Sequence, residues 1–165
     1  YYLQKGYRQV MNNEFQKGIQ DYTKAEPFLH NDGLFQFYFG SALYLKNDVE
    51  ASLPHLQKAV SLNSDPNAFI TLGNAFQKLK RYKEAENAYL VSEGITPSKL
   101  YPKYLLAKLY FEMGLYDKAL DKAKTIINTK EKVATTAGSE IKAEMNELIK
   151  QYTNKKQPLM GIKFK

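Results

Sequence analysis

The sequence predicts an all-α fold: a right-handed α-α solenoid of about four helical hairpins, closed by a C-terminal capping helix. Three observations carry that expectation. Small residues recur at one period along most of the chain, apolar side chains fall at helical spacing between them, and turn-forming residues punctuate the segments at matching intervals.

The period is explicit. Gly6, Gly40, Gly73 and Ala107 are separated by 34, 33 and 34 residues. The same intervals separate Gly18, Ser52, Ala85 and Ala119, then Tyr22, Leu56, Tyr89 and Ala123, then Ala25, Ala59, Ser92 and Ile126. A period near 34 residues belongs to helix–turn–helix solenoids, whose units bury their apolar faces only by stacking on neighbours. The predicted repeats are about 1–32, 33–65, 66–99 and 100–133, within one array over 1–153.

Repeat one keeps Gly6, Gly18, Tyr22 and Ala25, and repeat two has Phe39-Gly40, Leu43, Ser52, Leu56 and Ala59. Repeat three is the sharpest, with Phe69, Leu72 and Phe76 on its first segment and Tyr82, Ala85, Tyr89 and Ile95 on its second. Gly73 and Ala85 stand where two helix axes must approach closely, since a larger side chain would push them apart. Asp65-Pro66 reads as an N-cap followed by a proline in the first turn, and Pro97 closes the second helix. Repeat four has Leu106-Ala107, Tyr110, Ala119, Ala123 and Ile126. Asn12-Asn13, Asn47-Asp48, Lys80-Arg81 and Met113-Gly114 fall at the tight turns inside the four hairpins. Residues 136–152 carry Ile141, Met145, Leu148 and Ile149 as one stripe, the pattern of an amphipathic capping helix. Residues 154–165 read as a flexible basic tail, whose Leu159, Met160, Ile162 and Phe164 among lysines can touch a membrane or a partner.

In repeat three the run Phe69, Leu72-Gly73, Phe76, Ala85, Tyr89, Ser92 and Pro97 resembles the tetratricopeptide repeat (TPR) pattern. The looser resemblance extends over about residues 1–133. A narrower resemblance attaches to LYPKYLLAKLYFEMGLYDKALDKAKTIINTKEKV with SEIKAEMNELI, and to the earlier DGLFQFYFGSAL and LNSDP. These are similar to the C-terminal TPR domains of bacterial O-antigen ligase or polymerase-like membrane proteins. The resemblance implies a soluble domain on the periplasmic side of the inner membrane, in a larger protein of lipopolysaccharide and cell-envelope glycan synthesis whose transfer chemistry lies upstream. The opening Tyr-Tyr-Leu, with no initiator Met, fits a piece of something longer. The alternative is a free-standing TPR adaptor or chaperone-type peptide binder.

No catalytic constellation is visible. The chain has no Cys, which removes disulfides, thiolate metal sites and cysteine nucleophiles. Neither His30 nor His55 has a metal-ligand partner at a recognised spacing, and no nucleophile elbow or phosphate loop occurs. Asp32, Asp48 and Glu50 lie near turns, where capping accounts for them. No enzyme activity, metal or cofactor is expected. The net charge of +7 is uneven: residues 1–95 hold ten basic and ten acidic side chains, residues 96–165 fourteen Lys and seven acidic. That excess either solubilises the surface or attracts an anionic glycan or membrane surface. Without an Arg in that half, nucleic acid is not expected as a partner.

What remains is a surface. The first helix of each pair should line a concave groove carrying Phe37, Tyr38, Ser41 and Tyr44 in repeat two, Thr71, Asn74, Gln77 and Lys78 in repeat three, and Tyr104, Lys108 and Phe111 in repeat four. Aromatics beside amides and a lysine can hold an extended peptide or protein segment. The other reading of Phe37, Tyr38 and Phe111 is buried core. Asn74 matches the position of the asparagine with which the family holds a peptide backbone; the plain alternative is an exposed helical Asn. The family's two-Lys, two-Asn carboxylate clamp is not reproduced, since repeat one offers Leu3 and Tyr7 there.

Overall fold

The computed structural model describes residues 1–131 and 133–155; the predicted tail beyond residue 155 lies outside the described residues. Among these the elements are nine helices and no strand: α1 (Tyr2–Met11), α2 (Phe15–Leu29), α3 (Gly33–Leu45), α4 (Val49–Leu62), α5 (Pro66–Lys78), α6 (Tyr82–Ile95), α7 (Leu100–Glu112), α8 (Tyr116–Asn128) and α9 (Thr136–Lys155). The chain divides into two compact units, Tyr1–Ala88 and Tyr89–Lys165.

Four turns are built alike. Asn13, Asn47, Lys80 and Gly114 adopt left-handed backbone with φ of 61°, 73°, 58° and 72°. The amide of the residue after each donates back to the preceding helix: Glu14 to the Gln9 carbonyl at 2.8 Å, Asp48 to Leu43 at 2.9 Å, Arg81 to Phe76 at 2.9 Å and Leu115 to Tyr110 at 2.8 Å. The left-handed residues themselves donate to Val10, Tyr44, Gln77 and Phe111. This paired pattern is the Schellman motif, which satisfies carbonyls that a helix end leaves open. The turns keep the sequence period in the backbone, with glycine at one of the four positions only. Elsewhere side chains cap: Asp32 accepts from the Phe35 amide at 2.9 Å and Asp65 from the Asn67 amide at 2.8 Å. Asp48, at the start of α4, makes no side-chain cap.

In the first unit α1 pairs with α2 and α3 with α4, while α2 packs on α3 and α4 on α5. The recurring glycines permit this. A Cβ on Gly6 would stand 2.7 Å from Tyr22 Cε1, and one on Gly40 2.7 Å from Leu56 Cγ. Two columns of the sequence repeat thus meet in both hairpins, large against absent. The first hairpin, weakest in motif, closes on the same contact as the second. Tyr22, Phe35 and Phe39 form the aromatic centre of this unit, with ring centroids 5.7–5.9 Å apart, surrounded by Ala25, Ala42 and Leu43. Each such buried large side chain contributes about 1.5–3 kcal/mol.

In the second unit α7 pairs with α8, and α9 lies against both. Its core gathers Leu100, Ala107, Ala123, Ile126, Met145 and Leu148. The columns that are glycine and a large residue in the first unit are both alanine here. The expected stripe of α9 is the one that packs: Met145 and Leu148 are buried, with Ile141 and Ile149 beside them. Ile95, grouped by spacing with the apolar positions of α6, is exposed at the last residue of that helix.

Candidate functional site

In the first unit α3 touches both α1 and α5, so these three first helices share one face. The Tyr7 ring of α1 lies 5.1 Å from Tyr38 of α3, and Phe37 lies 5.6 Å from Tyr38. At the other end of α3, the Lys78 ammonium of α5 stands 5.3 Å over the Tyr44 ring. Aromatic and cation contacts therefore link α1 to α3 and α3 to α5. Phe37, Tyr38, Ser41, Tyr44, Thr71, Asn74 and Gln77 are all half-buried, and Lys78 is exposed. Tyr38 packs on the buried cluster around Tyr22, Phe35 and Phe39, and Phe37 meets the Tyr38 ring. The Ser41 hydroxyl is shielded from water and has no hydrogen-bond partner.

On the equivalent helix of the second unit Tyr104, Lys108 and Phe111 are half-buried too, but their partners differ. Tyr104 and Phe111 of α7 pack against the cluster that contains Met145 and Leu148 of α9. The Tyr104 hydroxyl donates to Glu144 Oε2 of α9 at 2.9 Å. Burial, and then this carboxylate, push the Tyr104 phenol well above its usual range. Lys108 sits 5.2 Å over the Tyr104 ring. Periodicity grouped Tyr104, Lys108 and Phe111 with the α3 and α5 residues; the capping helix engages two of them.

Sequence reasoning missed three buried polar groups. Asp21 of α2 is held by Lys5 Nζ of α1 at 3.1 Å, and that carboxylate raises the Lys5 pKa. Lys103 is buried at the start of α7, where its ammonium donates to the carbonyls of Pro97 and Lys99; burial lowers its pKa. Gln36 is buried on α3, donating from Nε2 to the His30 carbonyl at 3.0 Å and facing His55 Nδ1 with Oε1 at 2.7 Å. In neutral His55 the proton therefore sits on Nδ1. Its ring lies against Phe39, tilted by 34° with centroids 4.1 Å apart. Burial holds His55 below the ordinary histidine pKa, opposed by Glu26, whose Oε1 is 3.9 Å away. His55 thus joins α4 to α3, and His30 lies exposed in its loop. Spacing along the chain carried no signal for these pairs, because each closes between segments.

Part of the lysine excess serves internal contacts. Lys122 grips Glu93 with both carboxylate oxygens, at 2.9 and 3.2 Å, Lys142 donates to the Thr129 carbonyl, and Lys118 lies over Tyr110. Among the described residues, no group of three or more His, Asp or Glu is placed to hold a metal ion, and no helix is long and apolar enough to cross a membrane.

Residues 66–97, which comprise α5 and α6, match the tetratricopeptide repeat family. No curated protein matches the chain in sequence. The fold is similar to the crystal structure of MamA, with a TM-score of 0.71 and 17% identity over 99% of this chain and 96% of that one. It is similar to the Yersinia enterocolitica type III secretion chaperone SycD in complex with a peptide of the translocator YopD, with a TM-score of 0.65 and 15% identity over 74% and 92% of the two chains. It is also similar to PcrH in complex with the chaperone binding region of PopD, with a TM-score of 0.65 and 20% identity over 76% and 95%. The chain therefore has a TPR-like, all-α fold of stacked helical hairpins.

Proposed function

We propose that this chain is a non-catalytic protein-interaction module, and that it holds a segment of a partner polypeptide on the face made by α1, α3 and α5. The carrying observation is the line of half-buried aromatics Phe37, Tyr38 and Tyr44 on α3, bounded by exposed Leu34 and Leu45. Rigid helices present such a face already formed, so a partner binds without an ordering cost on this side. Two of the similar structures, SycD and PcrH, hold peptide segments of other proteins, which supports the same use of the fold here. Thr71, Asn74, Gln77 and Lys78 supply polar groups at the α5 edge, and Asn74 is the one assigned to the partner's backbone.

This reading does not depend on a larger parent protein. The setting in an O-antigen ligase-like membrane protein, with the chain on the periplasmic side, rests on the sequence resemblance alone, and an anionic glycan or membrane partner rests on the lysine excess. Sequence upstream of Tyr1 tests the former: several apolar spans of about 20 residues support it, and their absence removes it.

The test of the module is selection of random peptides displayed on phage against the immobilised chain, with Tyr38→Ala and Tyr44→Ala chains as competitors. Peptides that enrich on the parent chain and lose at least about tenfold in affinity for both variants support the face. Failure of any peptide to enrich, or equal binding to the variants, overturns it.

A further inference from the structure

The chain builds one polar cluster twice, two repeats apart. Glu26, His30, Gln36 and His55 each stand 67 residues before Glu93, Pro97, Lys103 and Lys122. In the first unit Gln36 of α3 is buried and donates to the His30 carbonyl at 3.0 Å. His55 of α4 faces Gln36 at 2.7 Å and Glu26 of α2 at 3.9 Å. In the second unit Lys103 of α7 is buried and donates to the Pro97 carbonyl, while Lys122 of α8 holds Glu93 of α6 at 2.9 and 3.2 Å. Each cluster ties the second helix of one hairpin, and the connection that follows it, to both helices of the next. Spacing within a cluster gives no sign of it; spacing between the two does. The junction of α4 with α5 has Val60, Phe69 and Ala88 in the same columns, so the repeat does not need polar groups there.

We infer that the first cluster is a pH-sensitive joint, which holds the first hairpin on the second through neutral hydrogen bonds and loosens when His55 takes up a proton. The second cluster is its permanently charged counterpart, since a lysine is charged on both sides of neutrality. The His55 and Lys122 side chains are almost equally exposed, at 16% and 17%, but their carboxylates are not: Glu26 is 41% exposed and Glu93 17%. Lys122 is answered at close range by a carboxylate shielded with it. A charge on His55 is answered by one oxygen at 3.9 Å on a side chain half in water, where screening weakens it. The other helices around it add little. α3 carries no charged side chain. α2 has Lys17, Asp21 and Lys24 besides Glu26, α5 has Lys78, and α4 itself has Glu50 and Lys58; of these Glu26 is the one that acts on the ring. The proton therefore comes at a net cost, burial outweighing Glu26. The folded chain binds it less readily than the unfolded chain, so the joint is firm above the ordinary histidine range and weakens as pH falls through it.

The test compares the two junctions in one molecule. Hydrogen exchange is followed by mass spectrometry at about pH 7.5 and about pH 5.5, corrected for the intrinsic pH dependence of exchange. All chains carry His30→Gln, so that His55 is the one histidine left. Expected is a loss of protection of at least about twofold across α2 and α3 at the lower pH, with α7 and α8 unchanged. His55→Lys places the second cluster's residue in the first and should remove the loss. His55→Gln, which can bond Gln36 and cannot take the proton, should remove it too. Glu26→Gln should deepen the loss and lower the NMR titration midpoint of His55 by about half a pH unit. A merely structural histidine would leave the first two variants as pH-dependent as the parent. Equal loss in both units, a loss that persists in His55→Lys or His55→Gln, or a His55 midpoint unmoved by Glu26→Gln overturns the inference. If His55→Lys fails to fold, His55→Gln and the Glu26→Gln titration still decide.

Discussion

Two helices two repeats apart, α3 and α7, have become different surfaces. Both begin a hairpin, and both carry aromatics at the positions that look away from their partner helix. On α7, Tyr104 and Phe111 are packed by α9, and Tyr104 is tied to Glu144. On α3, Phe37, Tyr38 and Tyr44 keep one side in solvent, flanked by exposed Leu34 and Leu45. All five aromatics are half-buried, so the difference lies in their partners: α9 and its cluster in the second unit, α1 and α5 in the first. What separates the two is a single additional helix. An aromatic at a groove position of a helical repeat takes its role from the element placed after that repeat, which the repeat itself does not encode.

The largest test of that contrast is the anchor of α9. Met145 is fully buried between α9 and the second-unit core, so Met145→Ala should cost about 3 kcal/mol in urea denaturation. A loss under about 1 kcal/mol would mean that α9 does not stabilise this unit. Next comes Tyr104→Phe, which removes the hydrogen bond to Glu144 and should cost about 1–2 kcal/mol, with Tyr38→Phe in the first unit as the comparison at under about 0.5 kcal/mol. Equal effects would erase the difference between the two faces. Ser41→Ala removes a shielded, unpartnered hydroxyl and should stabilise the free chain by about 1 kcal/mol.

The turns give a finer comparison. Lys80 in the first unit holds a left-handed backbone that costs a side-chain-bearing residue about 1–2 kcal/mol, while Gly114 in the second does not bear that cost. Lys80→Gly should raise stability by up to about 1 kcal/mol, the gain being reduced by the freer unfolded chain, and Gly114→Lys should lower it by a similar amount. The smallest effect expected is the pH response of His55. Its folded-state pKa lies below the unfolded one, so the unfolded chain binds more protons as pH falls through the ordinary histidine range. Its contribution is present at neutral pH and declines below about pH 6.5. A urea midpoint that falls between about pH 7.5 and about pH 5.5, and falls less in His55→Gln, is the expected result.

Much of this was legible in the residues. The glycine and alanine columns marked where helices touch, because a missing side chain is a property of one position and needs no partner to be recognised. The turns were legible for the same reason, as was the stripe of α9. Less legible were Asp21, Gln36 and Lys103. Each is a polar residue whose burial depends on a partner elsewhere: an ammonium on α1, a loop carbonyl with an imidazole on α4, and the carbonyls of the connection before α7. The candidate face was legible as a set of positions and not as a surface. Periodicity assigned Tyr104 and Phe111 to the same line as Phe37 and Tyr44, and it carried no sign that Tyr104 would bond Glu144 of α9. Ile95, at the last residue of its helix, has the helical spacing and is exposed.

The four Schellman turns bear on how quickly the molecule assembles. Each is sealed by backbone bonds spanning only a few residues, and each joins helices that are successive in the chain. The search for the main contacts is therefore short-range, which in small domains goes with refolding in microseconds to milliseconds. Stopped-flow refolding should show its dominant phase there, and substitutions at residues 13, 47, 80 and 114 should alter the forward rate constant to the extent that these corners are already formed at the barrier top.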